Sequence, residues 1–213
     1  MGLFDRHIQP QSDVQPLYTI SSSMTKLIIG LGNPGKEYIS TRHNIGFMCL
    51  EDFAARHSAS WIEKKDFKCH YSELRLGGTR VILVKPMTFM NLSGQAVQAV
   101  QSFYKIASGA MVVVHDELDI PFGQIRTRVG GSSAGHNGLK SLITVCGKDF
   151  ARIRIGINGQ HAQEYDAAEY VLKNFTKNEK SDLAALYTEV TSILTEFVYG
   201  GQLQHETRSF LIP

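Results

Sequence analysis

Three sets of residues could do chemistry, and two of them draw on glycine-rich stretches. Gly30-Leu31-Gly32-Asn33-Pro34-Gly35 satisfies GxGxxG directly after an apolar run, the pattern that offers backbone N–H groups to a pyrophosphate. That use needs a helix to begin at the second glycine, whereas Asn33-Pro34-Gly35 has the proline and glycine of a type II turn. The acid expected about 20 residues later should end a second strand. Glu51 and Asp52 lie at that distance but inside a helical pattern. Gly131-Ser132-Ser133-Ala134-Gly135 satisfies GxSxG and makes Ser133 a candidate nucleophile, with Asp166 and His205 later in the chain. The Gly130-Gly131 pair before it reads as a loop and not as a strained strand-to-helix elbow. The third set is scattered. Asn33 sits in the first turn, held extended by the proline after it. His43 precedes a helix, and Asn91 follows Met90 at another helix start. Asp116 ends a β-branched run, and Asn137 opens a helix after the glycine loop. Taken singly, each has an ordinary reading: helix caps for Asn91 and Asn137, a turn acid for Asp116, a surface histidine for His43. Their common location at element ends is where open α/β sheets collect their sites.

The elements that must position them can be read from periodicity. Residues 26–31 form a short apolar run that predicts a buried strand, and residues 44–57 carry Ile45, Phe47, Met48, Phe53 and Ala54 at near-helical spacing. Residues 67–76 partly alternate and Gly77-Gly78 turns them into 79–84, which predicts a hairpin. Residues 93–106 read as a helix with Ser93 as its cap. Residues 111–114, 124–129 and 151–157 read as further strands, with a helix over 138–145. Thr176-x-x-Glu179 makes a capping box before a long amphipathic helix closed by Gly200-Gly201. Strands alternating with helices, plus one hairpin, predict an α/β domain with a mixed, mostly parallel central sheet flanked by helices.

The chain has 213 residues, 43% hydrophobic and 20% charged, which is enough apolar material for a sizeable single core. Net charge is only +2, but its distribution is uneven. Between Gly123 and Arg154, six Lys/Arg face Asp149 alone, while from Ile157 onward eight acids face four Lys/Arg. A basic middle suits a protein that turns one face toward polyphosphate. Cys49, Cys69 and Cys146 are widely spaced and odd in number, which argues against a disulfide framework or zinc site and for a reducing cytoplasm. No apolar run approaches the roughly 20 residues of a membrane span. Residues 1–23 lack periodicity and read as an extension or leader outside a domain over residues 24–213.

Together, these stretches resemble the bacterial-type peptidyl-tRNA hydrolase family. The carrying segments are KLIIGLGNPG (26–35) with Tyr38, TRHN (41–44), PMTFMNLSG (86–94), HDELD (115–119), GHNGLK (135–140) and RIRIGI (152–157). The resemblance implies hydrolysis of the ester between a peptide and the 3′ end of tRNA, by a monomer acting without cofactor, metal, membrane or obligate protein partner. It implies that His43 is the catalytic base and that Asp116 orients it. Asn33, Asn91 and Asn137 would hold the peptide and terminal nucleotide, with Met90 and Tyr38 at the cleft. Arg126, Arg128 and Arg154 would face tRNA phosphates. The acids of HDELD are a weak metal signal. A non-catalytic RNA-binding module is the alternative from another class. The chain departs from the family at Ser132-Ser133-Ala134, where glycines are usual, and at Asn158-Gly159-Gln160-His161, where a glycine-histidine-proline stretch is common.

Overall fold

A computed structural model describes residues 24–160 and 162–211; the expectation for residues 1–23 lies outside the described residues. One sheet runs through the molecule. Its strands are β1 (Thr25–Gly30), β2 (Ile62–Lys64), β3 (Cys69–Leu76), β4 (Thr79–Pro86), β5 (Met111–Pro121), β6 (Gln124–Val129), β7 (Ala151–Asn158) and β8 (Thr207–Ser209). They lie in the order β2-β3-β4-β1-β5-β7-β6-β8. The central four, β4-β1-β5-β7, are parallel, and the pairings outside them are antiparallel. The parallel character is thus a property of the middle of the sheet, where both faces are covered.

Helices α1 (Ile45–Arg56), α4 (Ala167–Val171) and α5 (Lys177–Gly200) cover one face, and α2 (Ser93–Tyr104) and α3 (Asn137–Cys146) cover the other. Alternation along β1 shows the division: Ile28 packs with α1 and α5, while Leu27 and Ile29 pack with α2 and α3. The α5 capping box forms as the sequence predicts, with both reciprocal bonds between Thr176 and Glu179 present. Ser93 does not cap α2. Its hydroxyl donates instead to the Met90 carbonyl (2.9 Å), closing the 3-10 turn Met90–Leu92 that leads into the helix.

Strand β5 is longer than its apolar run. Residues 111–114 are buried on both faces, and pairing to β7 then carries the strand through His115, Asp116 and Glu117, all still buried. Asp116 therefore lies inside a strand and not at its end. It is nonetheless beyond β1, whose last partner in β5 is Val114.

After β1 the chain goes out to the sheet edge at β2, comes back through β3 to β4 beside β1, and then crosses β1 to β5 on the other side. This opens a crevice beyond the carboxyl ends of these strands. Helix α1 starts directly over it. The Gly30 and Gly46 backbones meet there so closely that a Cβ on Gly46 would stand 2.4 Å from the Val114 carbonyl oxygen and 2.5 Å from the Leu31 nitrogen. Only a residue without a side chain permits this crossing. Gly46→Ala is expected to destabilise the protein by about 1–3 kcal/mol, the usual cost of overpacking a closed site. A thermal melting temperature equal to the parent's would contradict this account of the crossing.

Candidate active site

His43 lies in the 3-10 turn Arg42–Asn44 that runs straight into α1. The Gly46 crossing sets this turn above β5, and His43 Nδ1 reaches the Asp116 carboxylate at 2.9 Å to Oδ2 and 3.0 Å to Oδ1. Asp116 is 3% exposed, so its charge must be met by protein groups. The second of these is His136, whose Nε2 lies 3.0 Å from Oδ1. The sequence reading did not single out His136, although it stands inside the GHNG segment.

The tautomers follow from the donors around the rings. His136 is the N-cap of α3, and its Nδ1 accepts the backbone N–H groups of Gly138 (3.1 Å) and Leu139 (3.4 Å). That nitrogen carries no proton, so Nε2–H donates to Asp116. His43 Nδ1–H donates to the same carboxylate, and among the described residues the His43 Nε2 lone pair has no donor. A helix N-terminus behind His136 adds favourable field at the anion. Burial pulls the His43 pKa down, but the Asp116 charge and hydrogen bond outweigh it and hold it above the ordinary imidazole value. Burial pushes Asp116 up, and the two imidazoles overcome it, leaving the carboxyl well below the usual carboxylate range. His115 behaves differently. Fully buried, it drops to about 3 through desolvation, stays neutral, and bonds through Nδ1 to the Asp116 carbonyl oxygen (2.7 Å).

Among the described residues, His43, Asp116 and His136 are the cluster whose ligand atoms lie close enough to hold a metal ion, within 4.8 Å of one another. Each imidazole lies 2.9–3.0 Å from the Asp116 carboxylate, the distance of an N–H···O bond with the ring proton directed at the carboxylate.

His43, Asp116, His136 and Asn137 line a cavity of about 260 Å³, with Leu118 and Val171 as apolar walls. Asn137 is exposed at the first position of α3, and the cap role falls to His136. Asn33 is positioned differently: its Oδ1 accepts the Met90 N–H (2.8 Å), and its own backbone N–H and C=O are both held by the Asn44 amide at 2.9 Å. It lines a second cavity of about 410 Å³, walled by Phe47, Met48 and Met87 and bordered by the Lys85–Glu51 ion pair. Asn44 is a further residue the sequence reading left unused. Met90 is buried, and a Cβ on Gly138 would stand 2.5 Å from its Sδ and 2.9 Å from Leu31 Cδ1, a crowding that the second glycine of GHNG avoids. Asn91 is exposed, caps no helix and lines neither cavity. Tyr38 is half-buried, and its carbonyl accepts from Thr41 Oγ1 (2.8 Å) just before His43.

The arginines gather elsewhere. Arg126, Arg128 and Arg154 line a shallow depression on the β6–β7 face, with Arg126 directly opposite Arg154 in the ladder. Arg154 is shared with Glu117 (3.0 Å), and Arg128 is exposed. Arg152, opposite Arg128, turns inward to the carbonyls of Ser132 (2.5 Å) and Gly131 (2.7 Å) and so holds the loop before α3.

The competing motifs do not assemble. No helix begins between Gly30 and Gly35; the next helical turn is Arg42–Asn44. Gly35 has φ +124°, a conformation that favours glycine, but no backbone hydrogen bond closes a type II turn over Asn33-Pro34-Gly35: the Asn33 carbonyl accepts from Asn44 Nδ2, and the Gly35 carbonyl accepts from the Tyr38 N–H (3.1 Å). Ser133 has neither expected partner: His205 Nε2 accepts the Val129 N–H (3.2 Å) on β6, and Asp166 is the N-cap residue of α4.

A profile of the peptidyl-tRNA hydrolase family matches residues 27–210. A peptidyl-tRNA hydrolase of Rickettsia bellii (strain RML369-C) is 49% identical over 153 residues, covering 72% of this chain and 82% of that protein. One from Rickettsia africae (strain ESF-5) is 43% identical over 166 residues, covering 78% and 89%. Among solved structures, the peptidyl-tRNA hydrolase of Acinetobacter baumannii superposes with a TM-score of 0.78 at 37% identity, covering 84% of this chain and 92% of that one. With matches of this extent and identity, the chain belongs to the peptidyl-tRNA hydrolase family.

Proposed function

We propose that the protein hydrolyses the ester joining a peptide, or another N-blocked aminoacyl group, to the 3′-terminal adenosine of tRNA, returning tRNA from prematurely released peptidyl-tRNA. The observation that carries this reading is the 2.9 Å contact between His43 Nδ1 and buried Asp116 on the wall of a cavity that Asn137 shares. An aminoacyl ester is an activated carbonyl, so it needs a directed water more than a covalent nucleophile. His43 Nε2 takes a proton from that water, while Asp116 holds the tautomer and stabilises the imidazolium. His136 keeps Asp116 in place from the opposite side.

Asn33 and Asn137, each on a cavity wall, position substrate through carboxamides, which suit a peptide backbone of any sequence, and exposed Asn91 meets the substrate outside the two cavities. Because Asn33 Oδ1 is committed to Met90, its Nδ2 is the end left to donate to the developing oxyanion. Such a donor typically contributes about 3 kcal/mol. Met90 and Tyr38 shape the cleft, and Arg126, Arg128 and Arg154 meet tRNA phosphates. The route uses no cofactor and no metal. The protein acts as a cytoplasmic monomer; its three cysteines, all free and buried, favour the reducing compartment. Among the described residues no helix is long and apolar enough to cross a membrane.

His43→Ala is expected to lower peptide release from a peptidyl-tRNA by about 10²–10⁴-fold, the usual worth of a general base. Near-parental turnover would sink the reading. Asp116→Asn tests the pair through pH. The working form is neutral His43, so kcat/KM rises with pH through the His43 pKa, above the ordinary value of about 6.5. Removing the carboxylate leaves burial alone, so the acid limb should move to lower pH while the plateau falls. A limb that stays in place would remove Asp116 from the mechanism. For the basic face, Arg128→Ala should raise KM most at low salt and reduce the salt slope of log(1/KM) by about one. A parallel salt dependence would place the phosphates away from Arg128.

A further inference from the structure

Arg42 is next to His43 in the chain but points into the protein, 3% exposed. Its Nη2 donates to Glu179 Oε2 at 2.7 Å, and its Nη1 donates to the carbonyls of Asn174 (2.7 Å) and Lys173 (3.3 Å). The guanidinium lies 4.3 Å from the Tyr170 ring centroid. Its backbone is tied to the same segment, with Arg42 N–H to the Lys173 carbonyl (3.0 Å) and a bridge from Thr41 to Asn174. The turn that carries His43 is thus fastened to the stretch joining α4 to α5.

The α4 end of that stretch reaches the site. Ala167, Ala168 and Val171 of α4 line the same cavity as His43. Glu179, beyond the stretch, also closes the α5 capping box through the Thr176 N–H (2.7 Å). The loop after β7 joins the knot: Tyr170 OH donates to the Ile157 carbonyl (2.9 Å) and accepts from Gly159 N–H (3.1 Å). A Cβ on Gly159 would stand 2.4 Å from Glu179 Oε1, so a larger residue there would displace the Glu179 carboxylate.

A buried ion pair is a poor way to gain stability, since apolar residues would join the two segments at less desolvation cost. What a guanidinium supplies is direction, several donors in one rigid plane. We propose that Arg42 is a positioning residue for the hydrolytic reaction. Through Glu179 and the carbonyls of residues 173–174, it sets the His43 imidazole and the α4 wall of the cavity as one unit. This rests on the reading of His43 given above.

The experiment compares Arg42→Lys, which keeps the charge but loses the planar fork, with the parent enzyme at a temperature where both are fully folded. Peptidyl-tRNA turnover and the ring NMR signals of His43 are both measured. Expected are a fall in kcat of at least tenfold, a rise in KM of at least threefold, and shifted His43 signals, with those of His205 unmoved. A merely structural role would lower the melting temperature while leaving kcat, KM and the His43 signals in place at that temperature, and that result overturns the proposal. Should Arg42→Lys not fold, Glu179→Gln removes only the charge and is read by the same criteria. His43→Ala separates the two readings. If it retains turnover, the hydrolytic reading falls and takes this one with it. If it is inactive while the Arg42 variant has parental kcat and KM, only the positioning role is lost.

Discussion

A carboxylate taken almost wholly out of water stays ionised only where N–H groups close around it, and Asp116 is such a group. Three separate parts of the chain have to arrive together to meet it. β5 must run past its apolar stretch to carry the carboxylate beyond β1, the turn before α1 must present His43, and α3 must start with His136 at its cap. His136 is satisfied at both nitrogens, accepting from the helix and donating to the acid, so its tautomer is locked. His43 has a partner at one nitrogen only among the described residues. That asymmetry is what separates a supporting imidazole from one able to take a proton.

The close approach at Gly30 and Gly46 is the backbone condition for this meeting. Any side chain at Gly46 would lift the start of α1 from the ends of β1 and β5, and with it the His43 turn. The same economy recurs at Gly138, which gives way to Met90 and lets the 3-10 turn after β4 settle against α3. Met90 in turn gives its N–H to Asn33, so the loops after β1 and β4 are joined by a single side-chain amide. The crevice is held by direct bonds between loops more than by packing of any one loop on the sheet.

Charge is divided along the sheet in a way that total charge conceals. The ladder between β6 and β7 places Arg126 against Arg154 and Arg128 against Arg152. Like charges so placed repel, and the structure disposes of two of them. Arg154 pairs with Glu117, next to Asp116 in β5, while Arg152 is drawn inward by two loop carbonyls, its pKa lowered to about 10 by burial and by its neighbours. The remaining positive charge stands outward on the same face. Glu117 thereby links the basic face to the strand that carries the buried acid.

Much of this was legible in the residues. Apolar period and turn glycines located most of the strands and helices, because a strand buried on both faces and an amphipathic helix leave different spacings. Family-like segments named His43, Asp116 and the asparagines. The continuation of β5 through polar residues was not legible, since burial there comes from β7 and the helices and not from residue type. His136 escaped notice because a histidine between glycines reads as a loop residue until a carboxylate, distant in sequence, is brought to its ring. Arg42 escaped for the same reason, its partner Glu179 being visible only as a helix cap. Local pattern determined most of the elements and named most of the candidate side chains. Which of those side chains touch was decided by the tertiary structure alone, because a hydrogen bond depends on distance and direction between groups that the chain keeps far apart.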